Sequence, residues 1–195
     1  MKIIQCEQGT PEWFEARKIH LTASNAQAIG NNGKGLETYV TEMMAEYYSS
    51  AQKESYSSSD TERGKELEPI ARQMYELEKG VEVEQVGFIE QDEYVGCSPD
   101  GLIGKDGGLE IKCLNDVNHY CLIRDGETGI DSKYIWQVQM NLLITGRKWW
   151  DIAFYSPNFE KSMLVFRIKP DKEKQDKLKE GLLKGKEMIK KQCLQ

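Results

Sequence analysis

Residues 96–113 read GCSPDGLIGKDGGLEIKC, placing Asp100 ahead of the triplet Glu110-Ile111-Lys112. The apolar residues around that triplet predict a strand over Leu109–Leu114. Alternate residues of a strand share a face, so Glu110 and Lys112 project together while Ile111 points into the core. The intervening GKDGG is a turn signal that lets Leu102–Ile103 pair with Leu109–Leu114 as a hairpin. That pairing brings Asp100 beside Glu110. Two carboxylates and an ammonium at one strand end suit a hard divalent cation and the activation of a water. Leu109, Ile111 and Leu114 bracket the charges within a strand expected to be largely buried. Buried charge is expensive unless paired or metal-bound, which favours a site over a solvated polar hairpin.

The rest of the chain sets the frame. Its 195 residues, 39% of them hydrophobic, fit one α/β domain over residues 1–195 with a substantial core. A net charge of −6 excludes nucleic-acid binding through overall positive charge while leaving room for a local basic channel. The five cysteines are odd in number and form no CxxC pair, which argues against a disulfide framework or a zinc ribbon. The chain shows no signal-peptide apolar region and no run of membrane-spanning length, so a soluble, intracellular protein is expected.

Along the chain, Thr10-Pro11 opens a helix through Arg17. Thr22 or Ser24 caps a short second helix up to Ile29. Asn31–Gly35 reads as a glycine-rich loop without P-loop order, and Leu36–Ser50 as an amphipathic helix. Ala51–Ser59, rich in serine, reads as an exposed loop. Residues 60–79 are helical in pattern, with a break predicted near Glu68 before Pro69. Strands are predicted over Val81–Ile89, Tyr94–Cys97, Leu102–Ile103 and Leu109–Leu114. Asn115–Arg124 is ambiguous and Arg124–Ser132 reads as a loop. A helix follows over Lys133–Thr145, with Ile135, Val138, Leu142 and Leu143 towards the core. Strands over Trp149–Tyr155 and Met163–Ile168 precede a charged final helix, residues 170–191, packed through Leu178, Leu182 and Ile189. The sum is a mixed central sheet with helices on both sides.

Pro99-Asp100 followed by Glu110-Ile111-Lys112 resembles the PD-(D/E)xK nuclease superfamily, whose restriction-endonuclease-like core is the fold implied. Four further segments sharpen the likeness. Thr10–Arg17 with Leu21-Thr22-Ala23-Ser24 resembles the W-x-x-x-R…TAS signature of the lambda-exonuclease-like, or YqaJ, viral recombinase family. Arg63–Glu68 with Ala71-Arg72 resembles its RGxxxE…AR helix. Cys97–Gly101 and Leu109–Cys113 match its catalytic core, and Tyr134–Gln139 its Y-x-x-Q-x-Q helix. The segments fall in the family's order. The resemblance implies processive 5′-to-3′ hydrolysis of linear duplex DNA by a ring-shaped homotrimer. It leaves a 3′ single-stranded overhang for phage-type recombination beside a single-strand annealing protein, in the bacterial cytoplasm. The cofactor implied is Mg²⁺, one or two ions, with Mn²⁺ as a substitute.

By matched position, Asp100 and Glu110 would ligate the metal, joined by the Ile111 carbonyl and by Glu68, directly or through a water. Lys112 would orient or deprotonate the attacking water. Its pKa is pulled down by burial and up by the adjacent acids, and the sequence leaves that contest open. Gln137 would stand near the metal and the water. Arg17 and Ser24 would hold the 5′-phosphate, the guanidinium through paired hydrogen bonds; helices 10–50 would thus shape the DNA-end site. Plainer roles compete: a helix salt bridge for Arg17, an N-cap for Ser24, a solvent-facing amide for Gln137 and Gln139. His20 and His119 are too isolated for a metal set. Trp149-Trp150 reads as core plus edge, Tyr134 as packing or site, and the lysines of the final helix as a solvated face. Another PD-(D/E)xK endonuclease, or a catalytically silent DNA-binding module, would share much of this pattern. A Cas4-like iron–sulfur exonuclease would need a four-cysteine spacing that is missing.

Overall fold

Strands that the sequence places in one central sheet form two four-stranded mixed sheets, and the chain passes between them at Ser98-Pro99-Asp100. The computed structural model describes residues 1–50 and 59–193. The first sheet has β1 (Lys2–Ile4), β2 (Leu21–Thr22), β3 (Phe88–Asp92) and β4 (Val95–Cys97) in the order β1-β3-β4-β2. The second has β5 (Gly101–Ile103), β6 (Gly107–Cys113), β7 (Trp149–Tyr155) and β8 (Met163–Ile168) in chain order. Proline lacks the N–H a sheet ladder needs, so Pro99 marks a natural place for the division.

The hairpin read from residues 96–113 is present, with Gly101 opposite Leu109 and Leu102 opposite Gly108. Its turn is shorter than expected: Gly107 and Gly108 belong to β6. A Cβ on Gly108 would lie 2.4 Å from the Trp150 ring, so this glycine serves close approach to β7. Parallel pairing of β6 with β7 and antiparallel pairing of β7 with β8 complete the sheet. Of the strand predicted over Val81–Ile89, only Phe88 and Ile89 join β3, while Glu84 forms an isolated bridge to Leu102. Strands β1 and β2 escaped prediction because two or three residues cannot display an alternating pattern.

Seven α-helices are described: α1 (Pro11–Arg17), α2 (Ala26–Asn31), α3 (Lys34–Tyr48), α4 (Ser59–Lys79), α5 (Asp116–Asp125), α6 (Ser132–Thr145) and α7 (Lys172–Gln192). Thr10 caps α1 by accepting from the Trp13 N–H. The predicted glycine loop shrinks to a tight joint, because Asn32 takes the left-handed conformation between α2 and α3. The break expected near Glu68 is absent, and α4 runs through Pro69. Proline there removes one helical bond, a cost of about 3 kcal/mol, and the buried Ala71 and Tyr75 continue the packing face beyond it. The ambiguous segment after Asn115 is a helix capped by that asparagine, followed by a 3₁₀ turn over Gly126–Gly129. The loop predicted over Ala51–Ser59 lies outside the described residues, except that Ser59 opens α4.

Strands β6 and β7 sit between α4 and α6. Leu109, Ile111, Ala153 and Tyr155 pack with Ala71 and Tyr75 of α4, while Trp150, Ile152 and Phe154 face the cluster containing Trp136 and Met140 of α6. Helix α7 closes the far side against α2 and α3. Its buried face combines Leu178, Leu182 and Ile189 with Gly181 and Gly185. Among the described residues no helix is long and apolar enough to cross a membrane.

A Cβ on Gly181 would lie 1.9 Å from the Ile29 carbonyl oxygen, whereas one on Gly185 would meet the movable end of Leu21. Helix propensity favours alanine over glycine by about 1 kcal/mol, yet overpacking against backbone costs about 1–3 kcal/mol or more. Urea denaturation should therefore show Gly181→Ala clearly destabilised and Gly185→Ala much less so. An equal or stabilising effect at Gly181 would refute this contact.

Candidate active site

Asp100 stands where the chain enters β5, and its Oδ2 accepts from the Ile111 N–H at 2.6 Å. One residue before Ile111, Glu110 points to the opposite face of β6, under α6, with only 1% of its surface exposed. Three donors converge on it. Glu110 Oε1 accepts from Lys112 Nζ at 2.6 Å and from Gln137 Nε2 at 2.6 Å. Glu110 Oε2 accepts from Asn141 Nδ2 at 3.2 Å. The strand period puts Lys112 beside Glu110, and the helical period puts Gln137 and Asn141 one turn apart on the same face of α6.

Glu68 approaches from α4, where Arg72 donates to its carboxylate. Burial, then the proximity of Asp100, raises the Glu68 pKa. Burial also raises Asp100, against the pull of Lys112 and of the Ile111 N–H. Glu110 is pushed up to about 7, first by desolvation and then by Asp100. Lys112 answers the question the sequence leaves open. Burial lowers its pKa, but Glu110 and Asp100 outweigh that and hold it above the ordinary ammonium range.

Among the described residues no three His, Cys, Asp or Glu groups enclose a metal site by themselves. The donor chemistry nonetheless fits a hard divalent cation. The carboxylates lie close enough to act on one another's charge: Asp100 raises the pKa of both Glu68 and Glu110, a repulsion that a cation would relieve. Asp100, Glu110 and Glu68 are the side chains that would hold one, with the Ile111 N–H already bonded to Asp100.

The bend preceding Asp100 is gripped by the N-terminal segment. Arg17 Nη1 donates to Ser98 Oγ at 2.9 Å, and the indole of Trp13 donates to the same hydroxyl at 2.9 Å. Arg17 also stacks over the Trp13 ring. No acid pairs with Arg17 among the described residues, so the salt bridge weighed against a binding role is not formed. Gln8 Nε2 donates to the carbonyls of Val86 and Pro99. A cleft of about 700 Å³, lined in part by Trp13, Lys65, Glu68, Arg72 and Asp100, opens beside these groups. Ser24 is exposed, with its hydroxyl 3.1 Å from that of Thr22; it lies within a 3₁₀ turn over Ala23–Asn25 and caps neither that turn nor α2.

Other assignments resolve simply. Gln139 is buried rather than solvent-facing, donating to the Lys169 carbonyl and accepting from the Asp171 N–H. His119 is a core histidine bonded to the Lys161 carbonyl, and His20 packs edge-on against Phe88. Trp150 is fully buried, while Trp149 lies under the Arg167 guanidinium. Tyr134 packs against Phe154, with the Lys112 ammonium 5.3 Å from its ring centre. Lysines of α7 pair with Glu173 and Asp176. Cys97 is fully buried, and the Cys113 thiol is pushed up to about 11 by desolvation and then by Glu68. Ser98 and Asn141 were missed in the sequence. The signal for Asn141 is its place one turn after Gln137; Ser98 carried none beyond adjacency to Pro99-Asp100.

Residues 12–148 match the YqaJ-like viral recombinase domain. In structure the chain is similar to an alkaline exonuclease (LHK-Exo) from Laribacter hongkongensis, with 31% identity and a TM-score of 0.80 over 93% of this chain and 95% of that one. The same exonuclease in complex with dAMP gives 32% identity and a TM-score of 0.81 over the same shares. A phage related exonuclease from Haemophilus somnus 129PT, 14% identical, shares the fold with a TM-score of 0.68 over 91% of this chain and 96% of that one. No curated protein matches. The fold is thus that of PD-(D/E)xK phage-type exonucleases.

Because the folded pKa of Glu110, about 7, exceeds its ordinary value of 4.5, the folded state binds more protons than the unfolded state between those limits. Stability should then fall as pH rises through that window. In cation-free buffer, thermal melts of the wild type should decline from pH 4.5 to about 7. Glu110→Gln should show a shallower slope, and parallel curves would contradict the assignment.

Proposed function

The chain belongs to the YqaJ-like viral recombinase family, and from this and the buried acidic site we propose that it is a divalent-metal-dependent exonuclease acting on linear duplex DNA. It digests the 5′-ended strand and leaves a 3′ overhang for recombination. The observation that carries this reading is the convergence of Asp100 and Glu110 about Ile111, with Lys112 and Gln137 on one Glu110 oxygen. Family membership supports the finer features: Mg²⁺ with Mn²⁺ as substitute, a ring-shaped homotrimer, a single-strand annealing partner and a bacterial cytoplasmic setting.

Asp100 and Glu110, with Glu68 and the Ile111 carbonyl beside them, would hold a divalent cation, which would supply Lewis-acid polarisation of the phosphate and a more acidic water. The remaining work falls to the chain's own groups. Lys112 keeps its proton at Nζ, so it acts as a donor that orients the attacking water and offsets charge on the phosphate. Gln137 positions that water through its amide. Arg17, paired with no acid among the described residues and already donating to Ser98, supplies a planar fork for a terminal phosphate, with the Ser98 hydroxyl as a second partner and Ser24 seven residues further along the chain. A pocket for the terminal phosphate, two residues from Asp100 along the chain, accounts for both end dependence and direction.

Linear duplex DNA with 5′-phosphates should be degraded in Mg²⁺ and spared in EDTA, while a closed circular duplex survives both. Cleavage of the circle would point instead to an endonuclease. Asp100→Ala and Lys112→Ala should each lower the rate by roughly 10²–10⁴-fold with little change in circular dichroism, and wild-type turnover in either would sink the reading. Arg17→Ala should erode the preference for phosphorylated over hydroxyl 5′ ends, measured on paired substrates. An unchanged preference removes Arg17 from the phosphate pocket.

A further inference from the structure

We propose that Asn141 is a positioning residue that fixes the rotation of the Glu110 carboxylate and so sets its affinity for a divalent cation. The inference rests on the reading of Glu110 as a cation ligand and adds to it a residue outside the recognised pattern. The two carboxylate oxygens are held differently. Oε1 accepts from Lys112 and Gln137, whose side chains reach the partly open part of the site. Oε2 accepts from Asn141, a residue with no exposed surface. When Lys112 and Gln137 turn to water and phosphate, Asn141 is the donor that stays in place. It leaves Oε1 as the oxygen facing the two exchangeable donors.

A second observation separates this role from packing. Asn141 Oδ1 is buried and has no hydrogen-bond partner among the described residues. An unsatisfied buried acceptor costs about 1–3 kcal/mol, so an apolar side chain of similar size would serve the fold equally well or better. The alternative rotation, exchanging the two ends of the amide, would aim that acceptor at the carboxylate and is repulsive. What the amide contributes is its N–H on Glu110. Groups that hold metal-ligating side chains in place typically contribute roughly 10–100-fold to metal affinity.

The test is calorimetric titration of Mn²⁺ into the full chain, with melting curves of the metal-free protein. Wild type should bind, and Glu110→Gln should bind much more weakly. Asn141→Leu should lose roughly 10–100-fold in affinity while melting at or above the wild-type temperature, because the orphaned acceptor is gone. Asn141→Ala, which cannot overpack, should show the same loss of affinity whatever its stability. Wild-type affinity in both Asn141 variants, with Glu110→Gln impaired, would overturn this inference and leave the cation site standing. Absence of Mn²⁺ binding to the wild type would overturn both.

Discussion

A carboxylate sealed beneath a helix is the constraint around which this chain is organised. Glu110 sits on an interior strand, and desolvating its charge would be prohibitive without compensation. The structure compensates with an ammonium two residues along the strand and two amides from α6. Those partners fix the register of β6 against its neighbours and the rotation of α6 over the sheet. A slip of one residue in β6 would send Glu110 and Lys112 to the α4 side and bring Leu109 and Ile111 against the amides.

A second buried acid on the adjacent strand shows what a purely structural solution looks like. Asp151, on β7 and facing α4, accepts from Tyr75 at 2.7 Å and from both forks of Arg167 at 2.8 and 2.9 Å. Arg167 in turn stands over Trp149, its Cζ 3.7 Å from the ring centre. The bonds there join side chains of three elements, so the network ties α4, β7 and β8 together. Around Glu110 the donors include a partly exposed lysine and a half-buried glutamine, groups that can change partners. One face of the β6–β7 pair is thus locked, and the other keeps exchangeable donors around its acid.

What could be read from the sequence follows from which signals are local. The hairpin, the nearness of Asp100 to Glu110 and the α6 face were legible because strand and helix periods act over a few residues. Arg17 and Glu68 were legible through their resemblance to known segments, and the structure adds that Arg17 meets no acidic partner among the described residues. The division into two sheets was not legible, since it depends on how Pro99 turns the chain in space. Strands β1 and β2 are too short to carry a pattern and exist through pairing with residues far along the chain. The packing of α7 was half legible: its leucines announce a face, but Gly181 and Gly185 lower the apolar signal where contact is tightest. Ser98 and Asn141 act only through partners brought to them by the fold.

The two cysteines that flank the acidic residues acquire a property from this arrangement. Cys97 is fully buried, and Cys113 sits near Glu68 with its thiol pKa raised. Oxidation to sulfenic acid and disulfide exchange both proceed through the thiolate. The desolvation and negative charge that surround the acids therefore also keep these sulfurs protonated. The thiolate through which oxidants act is thus disfavoured at both sulfurs, although Cys113 lies on the strand that holds Glu110 and Cys97 borders the bend that leads to Asp100.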